Sequence, residues 1–220
     1  MICEKVKECS ERTRHIVPSE KAKRNKGKNA QNRKQRKEDI YQYPLGKSPC
    51  GDEMCQKKCI DFLDKRSQIK CEEKGKTYIL DQSKKYPRYE VIKFFVDKGV
   101  ITDPEASTVD KCDNVVLIRD AEASVDKGGT AILVELKGVD TKHELEQLSA
   151  TLNQQQLQSL WDNQRRVFGR VVCRSTPPRI RNTEEYMSVK EAFFERNGNI
   201  KIAEENMVEE YDELERLRGK

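Results

Sequence analysis

Three stretches of this chain are almost unbroken in apolar side chains: NVVLI within residues 113–119, AILV within 130–138, and VFGRVV within 166–174. Each is short, rich in β-branched residues and bounded by Gly, Pro or charged clusters, which predicts three strands. None of them alternates apolar with polar, so all three should be covered on both faces. A polar loop, DAEASVDKGG, joins the first two and predicts a hairpin. After Gly138, Leu145, Leu148, Leu152, Leu157, Leu160 and Trp161 mark a long helix over 142–165. Upstream, YPRYEVIKFFVDKGV places Val91, Ile92, Phe95 and Val96 among charged residues, the pattern of an amphipathic helix ended by Gly99. Residues 184–196 and the acidic end from about 203 read as further helices. Helix, two-strand meander, helix, strand is the order of an α/β fold in which helices flank a mixed sheet. The chain has no internal repeat.

Composition changes that picture at the N-terminus. Only 35% of the residues are hydrophobic and 37% are charged, too polar for the whole chain to pack. Lys21, Lys23, Arg24, Lys26, Lys28, Arg33, Lys34, Arg36 and Lys37 fall within 17 residues that hold no acid. With these nine set aside, the 43 basic side chains drop to 34, fewer than the 38 acidic ones, so the positive excess sits in this tract. It lacks the apolar side chains that would offset the entropy of ordering it, and predicts a flexible arm over 18–48 with a short helix before Pro18. Its expected partner is a nucleic acid, since each phosphate neutralised releases counterions without regard to sequence. A solvated charge run that keeps the protein dissolved is the plainer account.

No stretch approaches the roughly 18 apolar residues that span a bilayer, and MICEKVKECS lacks the apolar centre of a signal peptide. These features predict a cytoplasmic protein with no membrane partner. Eight cysteines in that compartment read as thiols or metal ligands. Cys55 and Cys59 lie one turn apart on a predicted helix running to about Arg66, with Cys50 before it and Cys71 after it. Four thiolates so placed suit a structural Zn2+; an iron–sulfur cluster and unliganded thiols stay open beside it. There is no phosphate-binding G-x-x-x-x-G-K-[ST] loop. The two histidines, His15 and His143, give little basis for histidine chemistry, and His143 reads as a surface residue at a helix start.

The candidate chemistry lies at the end of the second strand. Side chains alternate along a strand, so Glu135 and Lys137 share a face while Leu136 turns away. If the hairpin turns near residues 124 and 125, Asp113 falls opposite about residue 136 and beside them. Asp120 lies seven residues further along, about 23 Å from Asp113, and is excluded by position. Two adjacent carboxylates call for a cation between them, Mg2+ or Mn2+ by ligand type, and a nearby lysine can act on a water or a phosphate oxygen. Taken without Asp113, Glu135 and Lys137 would be an edge-strand ion pair.

Asp113, then 21 residues, then Glu135-Leu136-Lys137 closing an apolar strand resembles the D…(D/E)xK signature of the PD-(D/E)XK nuclease superfamily, over roughly residues 85–175. The resemblance implies a restriction-endonuclease-like fold. In it Asp113, Glu135 and the Leu136 carbonyl would hold Mg2+ or Mn2+, and Lys137 would be the catalytic lysine. It further implies supporting roles for Glu90, on the first core helix, and for Gln147, on the helix after the lysine strand. The position before Asp113 holds Cys112 where the family has proline, and all four clustered cysteines precede the core, unlike the family's iron–sulfur members. Four segments result: a basic arm (1–48), a Cys-containing helical segment (49–75), a nuclease-like core (76–200) and an acidic C-terminal helix (201–220). The expected function is metal-dependent hydrolysis of phosphodiester bonds in DNA, or in RNA, by a homodimer or a subunit of a larger complex. The alternative is a non-catalytic nucleic-acid-binding or assembly subunit that keeps the fold.

Overall fold

The computed structural model describes residues 60–64, 66–85, 89–96, 110–120, 129–138, 140–154, 157, 161 and 164–216. The basic arm and Cys50, Cys55 and Cys59 lie outside these residues. The described chain is α/β and is organised by two mixed sheets. Its elements are β1 (Ile60–Asp64), β2 (Gln68–Glu73), β3 (Lys76–Asp81), β4 (Tyr89–Phe95), β5 (Asn114–Asp120), β6 (Thr130–Leu136), α1 (Thr141–Asn153), β7 (Arg166–Cys173), α2 (Glu184–Phe194), β8 (Ile200–Glu204), β9 (Asn206–Glu210) and α3 (Tyr211–Arg216).

The larger sheet has the order β1-β4-β5-β6-β7-β8, and the smaller one β2-β3-β9. In the larger sheet β4, β5 and β6 are antiparallel neighbours. β7 lies parallel to β6 and β8 parallel to β7. The parallel step needs a crossover, and α1 supplies it. Both faces of the larger sheet are covered, as its unbroken apolar strands require. Val115, Leu117, Ala131 and Leu133 pack with Leu145, Leu148 and Leu152 of α1 and Val189 and Phe193 of α2. Val116, Ile118, Ile132, Val134 and Leu136 turn the other way, onto Ile69, Cys71, Tyr78 and Leu80 of the smaller sheet. Burying side chains of this kind is worth roughly 1.5–3 kcal/mol each, and β6, buried along its whole length, lies at the centre of both cores.

Residues 89–95 form β4, a strand, where helical spacing predicts a helix. Val91 serves the core toward the smaller sheet while Ile92 and Phe94 serve the helix side, so the apolar run is that of a strand covered on both faces. The polar break that imitates a helix is Lys93, which is buried and donates to the Lys70 carbonyl at 2.9 Å. Residues 60–64 are likewise the edge strand β1, where the cysteine segment predicts a helix. Cys71 is fully buried between the sheets.

The helix expected over 142–165 ends at Asn153, because Gln154 adopts an extended conformation with φ −71° and ψ 113°. Trp161 still packs in the same core and donates from Nε1 to the Leu152 carbonyl at 3.1 Å. The acidic end is no continuous helix: β8 and β9 precede the short α3. Glu205, with φ 59°, turns the chain from one sheet to the other. Its N–H donates to Cys173 of the larger sheet at 2.8 Å, and its carbonyl accepts from Thr77 of the smaller at 3.0 Å.

Candidate active site

The register of the hairpin decides where Asp113 falls. Asn114 pairs with Val134 and Ile118 with Thr130, so Asp113, just before β5, stands opposite Glu135 at the end of β6. Two hydrogen bonds lock the pair. The main-chain N–H of Asp113 donates to Oε2 of Glu135 at 3.0 Å, and the N–H of Leu136 donates to Oδ2 of Asp113 at 2.8 Å. Both donors are main-chain groups, in β6 and just before β5, so both carboxylates are held without the entropy of free side chains.

Glu135 is fully buried, and its Oε1 has no hydrogen-bond partner. The nearest cation is Nζ of Lys137, 3.4 Å away. That ammonium donates to Oε1 of Gln147 on α1 at 3.1 Å. Gln147 is itself set by packing: the Thr151 hydroxyl donates to the Gln147 carbonyl at 2.8 Å and accepts from the N–H of Cys112 at 2.7 Å. Thr151 thus ties α1 to the residue before Asp113. The main-chain N–H of Lys137 donates to Val172 of β7 at 3.1 Å, and Asp140 caps α1 through the His143 N–H at 3.2 Å.

The electrostatics follow from this crowding. Burial pushes the Asp113 carboxyl above its usual range against the pull of the Leu136 N–H, and Glu73 adds to the rise. Burial also raises Glu135, with the neighbouring Asp113 charge next, against the counter-pull of Lys137. Burial works against the charge on Lys137, but Glu135 and Asp113 outweigh it and hold the ammonium above its ordinary pKa. Like charges brought together away from water resist ionising together.

Asp113, Glu135, Lys137 and Gln147 therefore meet at one end of the sheet. Glu90 does not join them. It belongs to β4 and pairs with Arg119, near the far end of β5, about 20 Å along the strand from Asp113. In its place stands Glu73, which sequence reasoning missed. It ends β2 in the smaller sheet, before a tight turn at Lys74 and Gly75 with φ 45° and 79°, and comes within hydrogen-bonding reach of the Asp113 carboxylate. A second missed residue is Glu144, one turn before Gln147 on α1. It is buried with neither carboxylate oxygen bonded, and burial, with Asp140 next, pushes it up to about 7 while Lys137 and His143 pull it back. His143 is partly exposed between Asp110 and Glu146, at 3.8 and 3.7 Å.

Two carboxylates fixed side by side, one of them fully buried with its Oε1 facing the Lys137 ammonium at 3.4 Å, form a hard oxygen site whose chemistry fits Mg2+ or Mn2+. Among the described residues no group of three or more His, Cys, Asp or Glu is spaced to hold a metal ion. Another buried carboxylate is plainly structural: Glu209, buried in β9, meets Arg170 and Lys201 and accepts from the Tyr78 hydroxyl at 3.2 Å, welding the two sheets together.

Comparison with known proteins finds no match among family models, curated proteins or solved structures. No helix among the described residues is long and apolar enough to cross a membrane.

Proposed function

We propose that the chain is a metal-dependent nuclease of the restriction-endonuclease-like fold. The observation that carries this reading is the pair of hydrogen bonds by which the Asp113 N–H holds the Glu135 carboxylate and the Leu136 N–H holds that of Asp113, with Lys137 3.4 Å from Glu135. The order in which the residues arrive supports it as well. An aspartate heads one strand, E-x-K closes its antiparallel neighbour, and a helix then leads to a parallel strand.

In this reading Asp113, Glu135 and the Leu136 carbonyl would hold Mg2+ or Mn2+, with Glu73 close enough to Asp113 to assist. When bound, the ion supplies Lewis-acid polarisation of a phosphate oxygen and a more acidic water. The protein's own contribution is position and charge. Lys137 stays protonated at neutral pH, so it donates hydrogen bonds: it orients the attacking water and steadies charge growing on the phosphate. Gln147 accepts a hydrogen bond from one of its three N–H groups and so sets the direction of the others. The water oxygen forms a bond to phosphorus and releases a proton to solvent, the bond to the leaving oxygen breaks, and that oxygen leaves with a proton drawn from solvent.

The substrate class is DNA or RNA, with the basic arm adding phosphate contacts. The test is cleavage of plasmid and single-stranded substrates with Mg2+ or Mn2+, comparing wild type with Glu135→Ala and Lys137→Ala. Salt-sensitive binding that vanishes when 21–37 are deleted, without turnover in any protein, would instead mark a non-catalytic binding subunit.

A further inference from the structure

Leaving β7, the chain turns across the end of the sheet that carries Asp113 and Glu135. Its course is fixed. The N–H of Arg174 donates to the carbonyl of Gly138, the residue after Lys137, at 2.7 Å. The Thr141 hydroxyl donates to Ser175 at 3.4 Å, and the N–H of Thr176 donates to Oε1 of Glu204 at 2.8 Å. Further on, Pro177 and Pro178 restrict the backbone, Arg179 turns with φ 70°, Ile180 is buried in the helix-side core and Thr183 caps α2. A segment anchored at so many points presents its side chains at set places.

Residues 174–183 hold three arginines and no acid. Arg174, Arg179 and Arg181 are exposed, and among the described residues none of them forms an ion pair. Several other surface cations are taken up by carboxylates: Lys70 meets Glu72, Lys142 meets Glu185, and Lys84 meets Glu210. Guanidinium groups left without a carboxylate keep their forked donors for phosphate, which they match two bonds at a time.

We propose that residues 174–183 are the rim over which the sugar–phosphate backbone of the substrate enters the site. The proposal rests on the nuclease reading and adds a direction of approach to it. The nucleic acid crosses the C-terminal ends of β6 and β7, with Arg174 on phosphates nearest Lys137 and Arg179 and Arg181 on those further out. Such contacts fix register and supply affinity without choosing a sequence.

The experiment uses the full chain in EDTA, which suspends cleavage, and follows the anisotropy of a fluorescein-labelled duplex across a series of KCl concentrations. Arg174→Gln/Arg179→Gln/Arg181→Gln is expected to weaken binding and to lower the slope of log affinity against log salt by about 3, one for each lost phosphate contact. The triple Arg→Lys variant keeps that slope, and so does Arg165→Gln, at the opposite end of β7. An unchanged slope in the triple Gln variant, with its melting transition intact, overturns the rim. Cleavage is read separately in Mg2+. A wild type that cuts while the triple Gln variant binds normally leaves the nuclease and removes the rim. A lowered slope in a chain that never cuts does the reverse.

Discussion

The main-chain N–H of Asp113 holds Oε2 of Glu135 at 3.0 Å and that of Leu136 holds Oδ2 of Asp113 at 2.8 Å, so each carboxylate of the site owes its position to main chain. Both are pushed above the usual carboxylate range, chiefly by burial. A bound cation would relieve that crowding. Mg2+ or Mn2+ should raise the melting temperature of wild type, with a gain of about 2.7 kcal/mol at a metal concentration of 100 Kd. Glu135→Gln should abolish the rise, and Glu73→Gln should shift the titration to higher metal concentration. A metal titration followed by thermal melting checks this; equal shifts in all three proteins would contradict it.

Gln147 is expected to act through Lys137, whose ammonium it accepts at 3.1 Å. Gln147→Ala should lower the cleavage rate by roughly 10- to 100-fold and leave the metal-induced rise in melting temperature unchanged. A loss of metal binding in this variant would place the residue in the metal site itself.

Glu144 makes stability depend on pH. Its folded pKa, about 7, lies above the roughly 4.3 of an unfolded glutamate. The folded state therefore holds the proton longer, and stability is lost as pH rises from about 4.3 to about 7. Relative to Glu144→Gln, wild type should lose on the order of 2 kcal/mol between pH 5 and pH 8, with no further change above. Urea melts of both proteins at several pH values check the slope. Parallel curves would mean that the carboxyl is already charged when buried.

Gly198 follows Asn197, which ends the turn after α2 with φ 55°. A methyl group there would stand 1.7 Å from the Val167 carbonyl oxygen, a main-chain atom that cannot step aside. Gly198→Ala should destabilise the fold by about 3 kcal/mol, seen as a lower denaturation midpoint. At Gly169 a methyl group meets the Phe193 ring at 2.8 Å, and side chains can give way, so Gly169→Ala should cost less.

The site was legible where one strand's pattern carried it. Apolar runs with no alternation located β5, β6 and β7 within two residues at each end, and the turn-rich loop set a register only one position from the observed pairing. What escaped was set by tertiary contact. Residues 68–81 form a hairpin in which Ile69, Cys71, Tyr78 and Leu80 alternate into the core, yet its charged outward face and the unusual Lys74-Gly75 turn hid it. Glu73 reaches Asp113 only because that second sheet packs on the first. β4 read as a helix because Lys93, buried against Lys70, broke its apolar run at helical spacing.

The central claim is that Asp113, Glu135 and Lys137 form a hydrolytic site, and cleavage tests it most directly. Plasmid DNA and a labelled single strand are incubated with wild type, Glu135→Ala or Lys137→Ala in Mg2+ or Mn2+. Metal-dependent cutting by wild type, reduced about 100-fold or more in either variant, is the expected result. Equal cutting by all three proteins would contradict it, as would no cutting by a folded wild type with either metal.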